Sequence, residues 1–241
     1  MTKPVKIAMW SGPRNLSTAM MYSFGARADF DVVDEPFYAA YLAATGLDHP
    51  MRADVLASQP QDAAEVARGL VAPRAKHHYQ KHMCQHMIAG IPRDWMNSVT
   101  NVFLIRHPAR VIASFGAKYS GFGLADIGFS QQIELVEQRR AAGEEPIIID
   151  SADIRASPEA MLRALCTALG LPFDPAMLSW PAGGHPADGA WAPHWYGAVH
   201  RSTGFAGPEG ALQDLEEAGQ RRLLDAAMPI YERLTAIKLT P

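Results

Sequence analysis

The stretch Val5–Phe24, VKIAMWSGPRNLSTAMMYSF, constrains the fold more than any other part of the chain. Val5–Trp10 is a short apolar run typical of a buried strand, and the turn residues Ser-Gly-Pro follow it directly. From Asn15 onward, apolar residues recur at three- and four-residue steps, which predicts a helix. A strand, a tight turn and a helix in this order aim several backbone N–H groups at one point, beside the positive end of the helix. The stretch therefore predicts a binding site for a phosphate-like anion.

Side chains of the turn strengthen this prediction. Arg14 carries a full positive charge, and Ser17 and Thr18 offer hydroxyl groups. No Gly-Lys-Ser/Thr closes the turn, so it is not a Walker A sequence. The alternative is an ordinary strand–turn–helix junction that binds nothing. The candidate anion-binding residues are Gly12, Pro13, Arg14, Asn15, Leu16, Ser17 and Thr18.

Any anion site in this chain must be local, because the formal net charge is −3. That balance does not indicate general affinity for nucleic acid or for an anionic membrane, and we expect neither as a partner. The two cysteines, Cys84 and Cys166, are too few for a disulfide framework and are typical of a reducing compartment. The first ten residues lack the long apolar region of a signal peptide, so we expect a cytoplasmic protein. The sequence leaves the oligomeric state open.

Further apolar runs extend the strand–helix alternation along the chain. They lie at 30–33, 102–105 and 146–149, and helix-like stretches separate them. Such alternation predicts βα units and a mainly parallel sheet. We therefore predict a three-layer α/β fold of the P-loop type, with a mainly parallel central sheet flanked by helices. The 241 residues suffice for one domain, residues 1–241, with 46–75 as a possible lid or insertion.

Polar residues follow two of these runs where the predicted strands end. Glu35 comes after the second run, and Arg106 comes after the run at 102–105. In open α/β sheets the carboxyl ends of the strands line the ligand crevice. Arg106 and Ser114, eight residues further on, offer a guanidinium fork and a hydroxyl that suit one phosphate. For Glu35 the alternative is a solvated loop acid.

The segment 77–86, HHYQKHMCQH, has more than one interpretation. On a helix, His78, His82 and His86 would share a face and suggest a metal site. On a strand, Lys81 and His82 would instead reach the crevice, where a cation and a titratable group suit transfer of an anionic group. The histidines also suit a plain core or solvated position. Neither cysteine has a zinc-finger spacing and no acidic residue lies nearby in sequence, so we predict no metal.

The last part of the chain combines a long irregular segment with a helix. Residues 171–210 contain three of the five tryptophans, which argues against disorder and predicts a loop that covers a ligand. Residues 209–235 read as an amphipathic helical region, which we expect to be broken near Pro229.

Three segments of the chain together resemble the sulfotransferases that use 3′-phosphoadenosine 5′-phosphosulfate (PAPS). SGPRNLST is similar to their 5′-phosphosulfate loop, with Arg14 where Lys is common. VFLIRHPARVIASF is similar to their 3′-phosphate motif, with Arg106 and Ser114 at the family spacing. IIIDSADIRASPEAMLRALCTALGLPFDP resembles a later strand–helix stretch that ends in Gly-Leu-Pro. The three occur in family order across residues 5–175, and the chain looks most like a bacterial sulfotransferase-like subgroup.

The resemblance implies transfer of a sulfuryl group from PAPS, as co-substrate, to a hydroxyl or amine of a small-molecule acceptor, without a metal. It places the 5′-phosphosulfate at the early turn and the 3′-phosphate at Arg106 and Ser114. A later family motif, Arg-Lys-Gly, has its counterpart in Arg201 alone. The chain therefore keeps one basic residue of that motif.

The resemblance also implies the catalytic groups. The family's catalytic strand commonly carries Lys-Thr-His, which Lys81-His82 matches loosely, and some bacterial members use a Glu at the position of Glu35. Glu35 or His82 would then accept the proton of the acceptor. Lys81 would neutralise charge that develops on the bridging oxygen.

Two other classes of protein share parts of this pattern. A P-loop kinase or NTPase would use the run at 147–149 and Asp150 as a Walker B carboxylate, although the early turn lacks Gly-Lys. A non-catalytic nucleotide-binding protein would keep the fold without the chemistry. Magnesium-dependent ATP turnover would identify the first class, and tight nucleotide binding without transfer would identify the second.

Overall fold

A five-stranded parallel sheet forms the centre of the protein in the computed structural model, which describes residues 3–212 and 214–241. Its strands are β1 (Lys6–Ser11), β2 (Phe30–Asp34), β3 (His77–Met83), β4 (Thr100–Ile105) and β5 (Ile147–Asp150). They lie in the order β2-β3-β1-β4-β5, and all four pairings are parallel. In the central strand β1, Ala8 pairs with Gln80 of β3 on one side and Asn101 of β4 on the other. The predicted parallel sheet is confirmed.

Helices occupy most of the connections between strands. They are α1 (Ser17–Gly25), α2 (Tyr38–Thr45), α3 (Arg52–Ser58), α4 (Ala63–Val71), α5 (Pro108–Gly116), α6 (Phe129–Ala141), α7 (Ser151–Ala156), α8 (Pro158–Ala168), α9 (Ala192–Trp195), α10 (Gly197–His200) and α11 (Ala218–Thr235). Short 3₁₀ turns lie at Cys84–His86, Asp94–Ser98 and Pro175–Leu178. Within the described residues, no helix combines the length and apolar character needed to cross a membrane.

The alternation of side chains along β1 divides the core into two halves. Ile7 and Met9 pack on one face of the sheet in a cluster that includes residues of α1 and α8. Ala8 and Trp10 pack on the other face in a cluster that includes residues of α4, α6 and α11. Helices therefore cover both faces, which is the predicted three-layer arrangement and the reason why the strands are apolar runs.

Two local predictions need correction. The segment at 77–83 is a strand, so the arrangement in which His78, His82 and His86 share one helical face is wrong. Helix α11 begins only at Ala218 and continues through Pro229 without a break. Pro229 lies on the exposed side of α11, so the carbonyl group that loses its N–H partner faces solvent.

The strand order fixes where a ligand crevice can form. From β1 the chain passes to the edge strand β2, returns to β3 beside β1, and then crosses to β4 on the other side of β1. In parallel sheets, the crevice lies at the carboxyl ends of the strands where the order changes direction. The turn after β1, Glu35 after β2 and Arg106 after β4 all lie at that edge.

Candidate active site

A cleft of about 620 Å³ opens at the carboxyl ends of the strands. Its floor contains the turn after β1 together with Glu35, Lys81 and Arg106. Its walls come from residues 119–126 and from the segment 191–206. The volume falls in the range typical of small-molecule sites.

The turn after β1 has a backbone built to present N–H groups. Arg14 and Leu16 adopt left-handed conformations, with φ of 65° and 73°. Alternation of right- and left-handed residues forms a concave nest of amides that binds anions. Among the described non-glycine residues with positive φ, Arg14, Leu16 and Glu35 lie at this cleft and only Met51 lies elsewhere. Strained backbone concentrated in one cleft is typical of a functional site.

Asn15 anchors the turn to the neighbouring strand. Its side-chain amide nitrogen donates to the Leu104 carbonyl at 3.3 Å, and the residue is buried. The oxygen of the same amide is buried and has no hydrogen-bond partner among the described residues. A buried acceptor without a partner is costly, and the residue that carries it lines the cleft.

Gly12 has a steric role beneath the cleft. A Cβ atom there would fall on the backbone carbonyl oxygen of Ile127, well inside van der Waals contact. The Gly12 Cα and the position of a Cβ on Gly128 are themselves only 3.1 Å apart. Gly12 does not line the cleft, unlike Pro13 through Thr18. The glycine therefore lets the loop before α6 approach the turn.

The two anchors predicted for the ends of the nucleotide meet in this cleft. Arg106 donates from Nη1 to the carbonyl of Arg14 at 2.6 Å, and Arg14 donates from Nε to Ser114 Oγ at 2.8 Å. Burial and the nearby Arg106 charge lower the pKa of Arg14. Two cations held together at one end of the cleft create a strong positive potential there.

Lys81 is the centre of a buried polar network at the other end. Its ammonium donates to Asp34 Oδ1 at 2.8 Å, to Glu35 Oε1 at 2.5 Å and to Tyr196 Oη at 2.8 Å. These three bonds use all the hydrogens of the ammonium. Burial disfavours that charge, but the carboxylates of Asp34 and Glu35 outweigh it and raise the pKa of Lys81. Lys81 therefore stays protonated.

Tyr196 ties the irregular C-terminal segment to the strand ends. Its hydroxyl donates to Asp34 Oδ2 at 2.7 Å and accepts from Trp191 Nε1 at 2.8 Å. Asp34 also accepts from the Gly189 N–H at 3.1 Å. Burial raises the pKa of Asp34 to about 6 against the opposing effect of the Lys81 charge. Sequence reasoning chose Glu35 and missed its neighbour Asp34, although both end the same strand.

Glu35 presents one oxygen to the network and one to the cleft. Oε1 is bound by Lys81, whereas Oε2 lies 3.9 Å from His86 Nε2. His86 stacks between Tyr38 and Tyr41, with ring centroids 4.7 and 4.8 Å away. Burial holds the pKa of His86 well below its usual range, so it is a neutral imidazole. Oε2 makes no hydrogen bond among the described residues and is the carboxylate oxygen available to a ligand.

His82 lies away from the cleft, contrary to the sequence-based expectation that it could be the base. Neighbouring residues of a strand point to opposite faces, and Lys81 already points toward the cleft. His82 stacks on Trp10 at 4.4 Å between ring centroids and lies 5.1 Å from Trp95, fully buried in the core. Burial also holds the pKa of His82 well below its usual range. It is a core residue.

Two other residues singled out in the sequence, Arg201 and Asp150, lie outside the cleft. Arg201 is exposed at the end of α10 and does not line the cleft. Asp150 caps α7 by accepting from the Ala152 N–H at 2.8 Å and accepts from Tyr231 Oη at 2.6 Å. It is the last residue of the edge strand β5, two strands from β1, and does not line the cleft. Asp150 therefore has a structural role.

The two irregular segments contribute unequally to the cleft. Within 46–75, α4 packs against the sheet through Val66, Ala67 and Leu70, and only residues 48–50 reach the cleft. The segment 171–210 contributes much more: Trp191, Trp195, Tyr196, Ala198, Val199, Ser202, Gly204 and Ala206. No helical or strand periodicity marks these residues, because short helices and single turns carry them.

Fold and site together define a three-layer α/β protein with a turn rich in backbone N–H groups and arginine at one end of a cleft and a carboxylate at the other. A sequence profile for the family described as "Sulfotransferase domain" matches residues 5–238. The chain belongs to this sulfotransferase-domain family.

Solved structures share the fold at low sequence identity. A sulfotransferase domain from the curacin biosynthetic pathway is 16% identical, with full coverage of both chains and a TM-score of 0.55. A sulfotransferase domain from the Synechococcus PCC 7002 olefin synthase is 19% identical, covering 94% of this chain and 95% of that one, with a TM-score of 0.51. A sulfotransferase from Alicyclobacillus acidocaldarius is 11% identical, covering 98% and 96%, with a TM-score of 0.51.

Two curated relatives from Arabidopsis thaliana are similar over nearly the whole chain. Branched-chain-amino-acid aminotransferase-like proteins 1 and 2 are both 36% identical to it, over 236 and 230 residues. The matches cover 97% and 95% of this chain but only 42% and 41% of the relatives. The chain thus spans about two fifths of their length. Their names were given to much longer proteins and do not define the function of the matched region.

Proposed function

We propose that the protein transfers a sulfuryl group from PAPS to a hydroxyl or amine of a small-molecule acceptor. The observation that carries the proposal is the cleft itself, which joins a cationic amide turn to a carboxylate with one free oxygen. Membership of the sulfotransferase-domain family supports the reaction class. The acceptor is a small molecule because the volume of about 620 Å³ must hold the acceptor beside the reactive end of the donor.

The turn after β1 suits the 5′-phosphosulfate. Backbone N–H groups of residues 15–18 and the Arg14 guanidinium would hold it, because both donate hydrogen bonds to anionic oxygens. Arg106 and Ser114 would hold the 3′-phosphate, and their contacts with Arg14 support a donor whose two anionic ends lie near each other. PAPS would supply the electrophilic sulfur. No group of three or more His, Cys, Asp or Glu in the described residues could hold a metal.

Glu35 is the general base in this proposal. Its Oε2 would accept the proton of the acceptor hydroxyl or amine as that oxygen or nitrogen attacks. Lys81 and Tyr196 act as positioning residues, because they fix Oε1 and so orient Oε2. Arg14 and the backbone N–H groups of the turn would stabilise the negative charge that develops on the leaving phosphate oxygen. The proposed catalysis therefore depends on positioning and electrostatics. His86, held neutral between two tyrosines, would orient the carboxylate without competing for the proton.

The kinase alternative has less support. Its carboxylate, Asp150, is committed to the cap of α7 and to Tyr231. A non-catalytic nucleotide-binding protein of this fold would also bind PAPS, but it has no need for a strained Glu35, whose φ is 39°, held by a buried lysine. Both cysteines are free and buried, which supports a reducing, cytoplasmic location as part of the proposal.

Calorimetry with two nucleotides tests the donor. Adenosine 3′,5′-bisphosphate should bind at least tenfold more tightly than ATP, because only the bisphosphate has an anion for each of the two anchors. Radiolabelled sulfate should then pass from PAPS to hydroxyl- or amine-bearing acceptors in a broad panel. Equal binding of both nucleotides, or of neither, contradicts the assignment of the donor. Tight binding of the bisphosphate without any transfer favours the non-catalytic protein.

A further inference from the structure

A single buried carboxylate lies among three arginines beside the proposed nucleotide site. Glu209 Oε1 accepts from Arg106 Nη2 at 2.5 Å and Nε at 3.0 Å, and from Arg155 Nη1 at 3.1 Å. Arg110 Nε lies 2.7 Å from Oε2 of the same carboxylate. The Glu209 side chain is 4% exposed, whereas the arginine side chains are 19–22% exposed. Three partly exposed cations thus surround one buried anion.

The charges of this cluster do not balance. Three guanidinium groups carry three positive charges, and Glu209 supplies one negative charge. A phosphomonoester carries close to two negative charges and three acceptor oxygens, which arginine forks bind bidentately. The cluster therefore suits a phosphate better than the carboxylate that now fills it.

The contacts of Arg106 show that Glu209 already occupies one of its bidentate forks. Its Nη1 is used by the Arg14 carbonyl at 2.6 Å. The edge formed by Nε and Nη2 is bound to Glu209. A phosphate that uses this fork must therefore displace the carboxylate.

Glu209 sits on a segment that can move without breaking a helix or strand. Residues 207–210, Gly-Pro-Glu-Gly, have no regular secondary structure and lie between α10 and α11. Arg155 Nε donates to the Gly207 carbonyl at 2.9 Å, and Arg110 donates to the Gly210 carbonyl. The same arginines that contact Glu209 thus hold the segment in place.

We propose that Arg106, Arg110 and Arg155 form one phosphomonoester site and that Glu209 is its internal competitor. The inference deepens the proposed function and rests on it for the identity of the phosphate, the 3′-phosphate of the donor. Glu209 raises the selectivity of the site, because only an anion with more charge or more acceptor oxygens than a carboxylate displaces it. Arg110 and Arg155 contact the same carboxylate as Arg106 and take the place of the basic residues that Arg201, exposed at the end of α10, does not supply.

Calorimetry with Glu209→Gln tests the competition. We expect adenosine 3′,5′-bisphosphate to bind roughly tenfold more tightly to this variant than to the wild type, because a lost charge-assisted competitor changes affinity by about that factor. Adenosine 5′-phosphate, which lacks the 3′-phosphate, should bind both proteins equally. Glu216→Gln, an exposed acid of the same connecting segment, is the control and should match the wild type. Adding Arg155→Gln to Glu209→Gln should abolish the gain.

The alternative is that Glu209 only anchors the segment. Unchanged or weaker binding of the bisphosphate by Glu209→Gln, or an equal gain for both nucleotides, overturns the inference.

If neither protein binds any nucleotide, the proposed donor is wrong, and thermal melting with inorganic phosphate then tests the inference. A larger rise in melting temperature for Glu209→Gln than for the wild type supports the three-arginine site, and an equal rise refutes it. Should Glu209→Gln not fold, Glu209→Asp, which keeps the charge but retracts it, should show a smaller gain, and no gain contradicts the inference.

Discussion

Glu35 is the residue on which the proposed chemistry depends most directly. Replacing it with Gln keeps the size and the Lys81 contact but removes the acceptor for a proton. We expect Glu35→Gln to bind adenosine 3′,5′-bisphosphate within about twofold of the wild type and to lose roughly a hundredfold or more in turnover. Stopped-assay measurement of sulfate transfer, with calorimetry for binding, separates the two effects.

The exposed acid Glu145 provides the control for this change, because it lies on the surface before β5. Glu145→Gln should leave both binding and turnover unaltered. Full turnover in Glu35→Gln would show that the proton of the acceptor goes elsewhere.

Tyr196 shows how one hydroxyl connects distant parts of the chain. Tyr196→Phe deprives Lys81, Asp34 and Trp191 of a buried hydrogen-bond partner each. Leaving buried polar groups unpaired costs about 1–3 kcal/mol per group, so the variant should lose at least that much stability in urea denaturation. The matched control is Tyr119→Phe, whose hydroxyl makes one 3.3 Å contact to exposed His194 and should cost under about 0.5 kcal/mol. A Tyr196→Phe protein as stable as the control would mean that the network relaxes without it.

Buried histidines of strand β3 and of the 3₁₀ turn that follows it make the stability of the fold depend on pH. Burial holds the pKa of His82 and His86 well below the usual range and lowers that of His78 to about 3. These side chains are neutral when folded but gain protons when unfolded below about pH 6.5. Their contribution is therefore fully present above about pH 6.5 and is lost as the pH falls, by up to about 1.4 kcal/mol per pH unit for each histidine.

His82→Phe should remove one such contribution. Phe can keep the stacking on Trp10 and carries no proton. Between about pH 7.5 and about pH 5, the variant should lose about 2 kcal/mol less of its free energy of unfolding than the wild type. His194→Phe, at an exposed position, should leave the pH profile unchanged. Identical slopes for wild type and His82→Phe would disprove this role of His82.

The turn between β1 and α1 needs glycine for packing against its neighbour. In Gly12→Ala the added Cβ would meet the Ile127 carbonyl, a backbone group that cannot rotate away. We expect a loss of about 1–3 kcal/mol in stability and weaker nucleotide binding, because the turn must shift. Gly69→Ala in α4 has open space around it and should instead stabilise by about 0.5–1 kcal/mol. If Gly12→Ala keeps both stability and affinity, the contact with Ile127 is not tight in solution.

Strands, helices and the residues at their ends could be predicted, because nearby residues determine them. Contacts between segments distant in sequence could not. The strands and the residues at their ends follow from apolar runs, so Glu35 and Arg106 were found at the cleft edge. Because neighbouring residues of a strand face opposite sides, the strand at 77–83 lets only one of Lys81 and His82 reach the cleft, and alternation alone does not say which. Tyr196 and Glu209 carry no such signal, because irregular segments far along the chain bring them to the site.

Taken as a whole, the molecule concentrates opposite charges at the two ends of one cleft despite a net charge of only −3. Arg14 and Arg106 lie at one end, and Asp34 and Glu35, neutralised in part by Lys81, lie at the other. In the proposed reaction, this separation would orient the anionic donor and the acceptor that loses a proton. It arises because β1 and β4 end in basic segments and β2 ends in acidic residues, on adjacent parts of one sheet edge.

Because the nucleotide would connect segments that are distant in sequence, its footprint tests the whole arrangement. With adenosine 3′,5′-bisphosphate at about 100 times its dissociation constant, binding stabilises the folded state by about 2.7 kcal/mol. Hydrogen exchange should therefore slow by up to about a hundredfold in peptides that cover 12–19 and 106–114, and also in those that cover 198–206. Peptides from 52–71, where α3 and α4 lie outside the proposed nucleotide site, are the internal control and should exchange at the same rate with and without ligand. Protection of only one of the first two segments would show that the nucleotide does not bridge β1 and β4, and the proposed orientation of the donor would then be wrong.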